Sequence, residues 1–372
     1  MTEQEYVEFV IKQGQLMTTE IKNAISEQRR LHSIAVQKRE EFDALYGKSV
    51  NLLKIGSEKF LEKYPEYRQE MELGDTKIEV ADRALKLAIN TPDKLKEITA
   101  KMKEIPELEE NDKLNSEIAK ASYDYFVAFT NLNDKINKDR EGLFSAEYKE
   151  KLAVLADEGV ILYFLETPDL PLLYEKYDGK FLLDTFYFND CLAIKTMLQG
   201  FFMANPSPSM RRKADDLFVT VELINSGYYR SAARNLFALL DSEHKKAADA
   251  FEGYFEKRKK YSKGHIRAKK IGGLVEKLNV DWEIAAWEKV NKYYQKVTST
   301  NPVNGVIHRN SIVHGDYYNS LLDIDKYDVI KLFLLWLNMR LIADLICNID
   351  EIYDLFLQYL PSYIINKLQK NN

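Results

Sequence analysis

Only 15 glycines and 9 prolines interrupt the 372 residues of this chain. So few turn-formers and helix-breakers, set among many Glu, Lys, Leu and Ala, favour helices nearly throughout. The apolar residues agree. Tyr6, Val10, Met17, Ala24, Leu31, Ala35, Phe42 and Leu45 recur at spacings of three, four or seven, the period of an amphipathic helix. Thr2 and Glu5 form a capping box, and from there to about Leu45 the pattern predicts one long helix. Polar positions interrupt the stripe, which favours an ordinary bundle helix over a dimerising coiled coil.

The expected fold class is therefore all-α, with three regions. Residues 1–140 read as a helical N-terminal domain. Gly47, Gly56, Pro65 and Gly74 predict shorter helices after the first. Thr91-Pro92-Asp93 opens another helix, Pro106 breaks the charged stretch from Lys94 to Asp112, and a further helix is expected from Asn115 to Lys138. Residues 141–205 form a middle segment, where a mixture of helix and strand stays open. Ser145 can cap a helix through Leu155. Gly159–Leu165 and Phe181–Phe188 are short and β-branched or aromatic, so periodicity does not separate strand from buried helix; the helical surroundings favour helix. Thr167–Pro171 reads as a loop, and Asn205–Ser209 as the clearest linker. Residues 206–372 form a C-terminal helical domain. Its helices are expected from Met210 to Asn225, ended by Gly227, then from Tyr228, from Asp281 to Thr298, and from Asp323 or Asp325 to Leu360.

The formal net charge is −5, so any nucleic-acid contact must come from a local patch. One candidate patch exists. Between positions 257 and 270, Lys257, Arg258, Lys259, Lys260, Lys263, Arg267, Lys269 and Lys270 occur with no acidic residue. Tyr254 and Tyr261 lie near enough for base stacking. The bland reading is a solvated loop that balances an acidic chain. Two cysteines, Cys191 and Cys347, provide neither a disulfide framework nor a zinc spacing, and they fit a reducing cytoplasm. The first residues are acidic and lack an apolar signal-peptide core. The most apolar run, Ile330 to Cys347, carries Lys331, Arg340 and Asp344, which predicts a buried core helix and no membrane span.

The stretch with the most chemistry is Val306-Ile307-His308-Arg309-Asn310-Ser311-Ile312-Val313-His314-Gly315. Arginine grips a phosphate bidentately, and histidine moves a proton near neutral pH. Together they suit cleavage of a phosphodiester by its adjacent 2′-hydroxyl, which requires a base, an acid and charge stabilisation. On a helix the five-residue step from Arg309 to His314 turns about 500°, so the two side chains point roughly 140° apart. Asn310 and His314 share a face, so the amide can hold the imidazole. Spacing alone does not select the pair, since Arg258 and His265 are separated by six residues. Context does: Asn directly follows Arg, an apolar pair precedes His, Gly follows it, and a long apolar helix comes next. The bland reading is that Arg309 and His314 only cap and pack a helix.

In this context the stretch resembles the HEPN superfamily (higher eukaryotes and prokaryotes nucleotide-binding), many members of which place Arg, a polar residue and His before their last helix. Tyr228-Tyr229-Arg230-Ser231-Ala232-Ala233-Arg234 also looks like the second helix of such domains. The resemblance covers about residues 206 to 350; nothing comparable attaches to the first 205. It implies a HEPN-like helical bundle and an endoribonuclease that needs no metal and no cofactor. His314 would act as base or acid, Arg309 would stabilise the phosphate, and Asn310 would orient His314, leaving 2′,3′-cyclic phosphate and 5′-hydroxyl ends. His308, Asp316 and Tyr317 are candidates to support the pair from behind. The resemblance further implies a cytoplasmic toxin or phage-defence (abortive infection) effector. RNA would be its substrate, a homodimer would bring two motifs to one cleft, and an antitoxin or other regulatory partner would hold it in check. The alternative within the same resemblance is a non-catalytic binding or dimerisation scaffold. Some HEPN toxins carry a modifiable tyrosine two residues after the histidine. Asp316 stands there, with Tyr317 and Tyr318 following, which argues against a nucleotidyltransferase partner. His32 and His244 have no partner legible in the sequence.

Overall fold

A computed structural model of the chain describes residues 1–68, 92–163, 178–204, 208–262, 281–299, 306–313 and 324–347. The chain is all-α, and no strand occurs among the described residues. They group into two compact units: residues 1–29 with the described part of 133–350, and the described part of 30–132.

Helix α1 (Glu3–Leu16) starts on the expected capping box, with Thr2 and Glu5 exchanging both bonds. The single long helix expected from Thr2 to Leu45 is instead two. Met17 turns extended at ψ 108°, and the Thr18 hydroxyl accepts from the Ile21 N–H, capping helix α2 (Thr19–Lys63). A threonine able to supply that cap outweighs the apolar period that runs through it. Nor do Gly47 and Gly56 cut the chain; α2 runs through both. At Gly56 the reason is packing: an added Cβ would lie 2.6 Å from Leu108 Cδ2, so the absent side chain admits a neighbouring helix.

That neighbour is helix α4 (Pro106–Leu143), longer at both ends than expected, with Pro106 as its first residue. The short helix α3 (Pro92–Met102) precedes it and begins at the expected proline. In the second unit α2 and α4 run antiparallel. Phe42 packs with Leu114 and Ile118, Ser49 Oγ donates to Asn111 Oδ1 at 2.6 Å, and Phe60 packs with Ile105 and Leu108. The ion pairs Lys59–Glu107, between the two helices, and Lys63–Glu104, to the turn before α4, contribute little beside this apolar burial.

The first unit is built around helix α11 (residues 326–347), buried almost all round from Val329 to Ile346. Asp325 opens it by accepting from the Tyr327 and Asp328 N–H groups. No described helix is long and apolar enough to cross a membrane, so the apolar run is core, as its charges predicted. Helix α5 (Ala146–Asp157) carries the expected Ser145 cap. The stretch after it corrects the helical expectation. Val160, Ile161 and Leu162 are buried but non-helical, because Asn338 in α11 donates to the Ile161 carbonyl at 2.9 Å and supplies the partner a helix would have. Helix α6 (Gly179–Ala204) contains Phe181–Tyr187 as helix but breaks at Phe188–Cys191, where Phe188 turns extended and Asn189, Asp190 and Cys191 take positive φ. The Asn225 amide donates to the Asp190 carbonyl across that break.

Helix α7 (Pro208–Asn225) starts at Pro208, so the expected linker is shorter than Asn205–Ser209; residues 205–207 lie outside the described residues. Gly227, at φ +77°, turns the chain into helix α8 (Tyr229–Ser262), with Tyr228 N–H donating to Leu223 O at 2.8 Å. Helix α9 (Asp281–Thr298) and the five-residue helix α10 (Arg309–Val313) follow. Helices α7, α9 and α10 supply the neighbours of α8 that matter below. Thr91, Thr167–Pro171, and the expected end of the last helix at Leu360 lie outside the described residues.

Candidate functional site

The site is built from α8, α9 and α10. The motif segment begins with His308, which is buried and bonds through Nε2 to the Ser299 carbonyl just past α9. That tie fixes where α10 starts, and Ile312 N–H closes its turn onto the His308 carbonyl at 3.2 Å. His308 Nδ1 is buried with no hydrogen-bond partner among the described residues. At the far end of the turn Arg234 Nε, from α8, donates to the Ile312 carbonyl at 2.8 Å. This satisfies a carbonyl that so short a helix leaves open.

Arg309 is the first residue of α10. Its Nη2 lies 2.6 Å from Asp241 Oδ2 of α8, with the two side chains 35% and 36% exposed. The pair is thus neither buried nor free in solvent, and the guanidinium keeps accessible edges. The other Asp241 oxygen accepts from Tyr294 Oη of α9 at 2.9 Å. Burial, and then that bond, push the Tyr294 hydroxyl up to about 12, so it stays a donor at any physiological pH. One carboxylate therefore ties three helices together beneath Arg309.

His244 sits one helical turn after Asp241 on α8. Its ring stacks on Tyr294 at 3.9 Å and 12°, with Trp287 behind it at 5.4 Å. Nε2 lies 2.9 Å from Asn291 Oδ1. Ile307 and Ile312 are buried, so apolar side chains anchor the same segment that the polar ties hold.

Of the residues singled out in the sequence, Arg309 and Asn310 stand together on α10, both partly exposed. His308 packs behind them. His314, Asp316 and Tyr317 lie outside the described residues, as do Lys263, Arg267, Lys269 and Lys270. Lys257, Arg258, Lys259 and Lys260 ride on the last turns of α8. Along that helix they begin about 24 Å beyond Asp241, at 1.5 Å per residue. The basic stretch therefore starts well away from Arg309 rather than beside it.

Sequence reasoning missed Asp241, Tyr294 and the partner of His244. A signal existed on α8. Arg234, Asp241 and His244 fall seven and then three residues apart, a polar line flanked by the buried Ala233, Phe237 and Leu240. No pattern pointed to Tyr294 or Asn291, which belong to another helix. Comparison with family models, curated proteins and solved structures finds no match for this chain.

Proposed function

We propose that the chain is a metal-independent endoribonuclease of the HEPN type, with RNA as substrate. The observation that carries the reading is the three-point hold on the motif turn: His308 on Ser299, Arg309 on Asp241, and Arg234 on Ile312. A turn held at both ends and in the middle presents Arg309 in one orientation before substrate arrives, and fixed positive charge near a transferring phosphoryl group is the main electrostatic aid available without a metal. Asp241 occupies one edge of the guanidinium and leaves the others for phosphate oxygens. His314, directly after the turn, is the proposed proton carrier, with Asn310 as its orienting partner. A role as toxin or phage-defence effector, a cytoplasmic location, a second copy of the chain and a regulatory partner belong to the same proposal.

Purified protein in EDTA is expected to cut RNA to 2′,3′-cyclic phosphate and 5′-hydroxyl ends. Arg309→Ala and His314→Ala should each lower the rate by at least about a hundredfold, the low end for general acid–base groups. Cleavage that survives both substitutions overturns the assignment.

One observation favours a second reading. Arg309 is already paired, and its pair joins α8 to α10 while Asp241 also holds α9. That suits a non-catalytic HEPN-like scaffold, in which Arg309→Ala lowers the melting temperature and no RNA is cut by the wild type.

A further inference from the structure

Cleavage by a 2′-hydroxyl takes one proton off O2′ and puts one on the leaving O5′, at opposite sides of the phosphorus. The motif supplies one histidine. We infer that His244 supplies the other, as the general acid that protonates the leaving 5′-oxygen. This rests on the ribonuclease reading above and adds a residue the motif does not contain.

Two observations converge on His244. The first is place. Asp241, one turn earlier on the same helix, holds Arg309 on one oxygen and Tyr294 on the other, and the Tyr294 ring lies against the His244 ring. Residues three apart on a helix are side-by-side neighbours, roughly 5–6 Å between Cβ atoms. The guanidinium and the imidazole therefore each lie against one member of the same Asp241–Tyr294 pair.

The second is tautomer. Asn291 Oδ1 only accepts, so the 2.9 Å contact assigns the proton of that bond to His244 Nε2. Nδ1 is then the nitrogen that exchanges protons, and the ring cannot swing without breaking the Asn291 bond and the Tyr294 stack.

The step balances. The O2′–P bond forms and the P–O5′ bond breaks. The 2′-hydroxyl proton goes to His314, and the proton on His244 Nδ1 goes to O5′. Exchange with water restores both residues.

The test uses the full chain and two substrates: an RNA oligonucleotide and uridine 3′-(4-nitrophenyl phosphate), whose leaving group needs no acid. His244→Phe keeps a ring against Tyr294 and removes the nitrogens. It is expected to cut RNA about a hundredfold more slowly, as when a general acid is removed, yet to release nitrophenolate at close to the wild-type rate. Equal slowing on both substrates overturns the inference and makes His244 a packing residue. Wild-type cleavage of RNA by His244→Phe overturns it as well. The outcomes for the parent reading are separate: if wild type leaves RNA intact in EDTA, the ribonuclease assignment itself falls, whereas a dead His314→Ala beside an active His244→Phe removes only the role of His244.

Discussion

Glycine at position 159 and glycine at position 227 both take positive φ, +89° and +77°, yet they differ in what surrounds them. Around Gly227 an added Cβ meets nothing within 4 Å, while at Gly159 it runs into the ring of Tyr293, a buried residue of α9. Gly227→Ala should therefore incur only the left-handed penalty, about 1–2 kcal/mol. Gly159→Ala should incur that and a further overpacking cost of roughly 1–3 kcal/mol. Thermal melts of the two variants check this, and equal shifts would show that Tyr293 yields at no cost. The same contrast explains what could be read from sequence at this scale. Gly227 announces itself as a helix terminator by its place after an apolar stripe. Gly159 is legible as a glycine but not as the seat of Tyr293. Likewise Arg309 was legible from its neighbours in the chain, whereas Asp241, Tyr294 and Asn291 became partners only through folding.

Elements were legible where a cap or a proline made the boundary local: Thr2, Pro92, Ser145 and Asp281 all open helices as their chemistry predicts. They were not legible where a tertiary contact decided the matter. Gly56 stays helical because α4 packs against it, and Val160–Leu162 leave the helix because Asn338 meets their backbone. The basic stretch is the element with an open role. Its first four cations continue α8 past the site by several turns, and in the proposed ribonuclease they would hold RNA strand leading away from the scissile phosphate. Changing Lys257, Lys259 and Lys260 to Glu should weaken RNA binding. It should also flatten the slope of log affinity against log salt by about 0.7 for each phosphate that the variant no longer neutralises. Binding measured by anisotropy between low and moderate salt reads this directly, and an unchanged slope would make the stretch a solvated surface. Because it lies apart from Arg309, cleavage at saturating RNA should stay near wild type.

At the scale of the whole molecule the question is how many chains make one site. The resemblance implies a homodimer, because one motif brings one histidine and two motifs would bring both. If His244 is the acid, the sequence of one chain already contains both proton carriers and the phosphate clamp. Two measurements then follow. Activity per chain should stay constant on dilution to nanomolar concentration, whatever light scattering reports about assembly; a site shared between chains would instead lose activity as the dimer dissociates. Mixing gives the sharper test. Arg309→Ala and His244→Phe chains, each about a hundredfold slower on RNA, should stay that slow when combined, because neither chain carries a complete set. Were the clamp of one chain to serve the proton carrier of its partner, mixed dimers would hold one intact site, and about half of the dimers in an equal mixture would be mixed ones for a two-fold assembly that pairs at random. Recovered cleavage in that mixture would show that Arg309 of one chain works with His244 of the other, and would overturn a site complete within one chain.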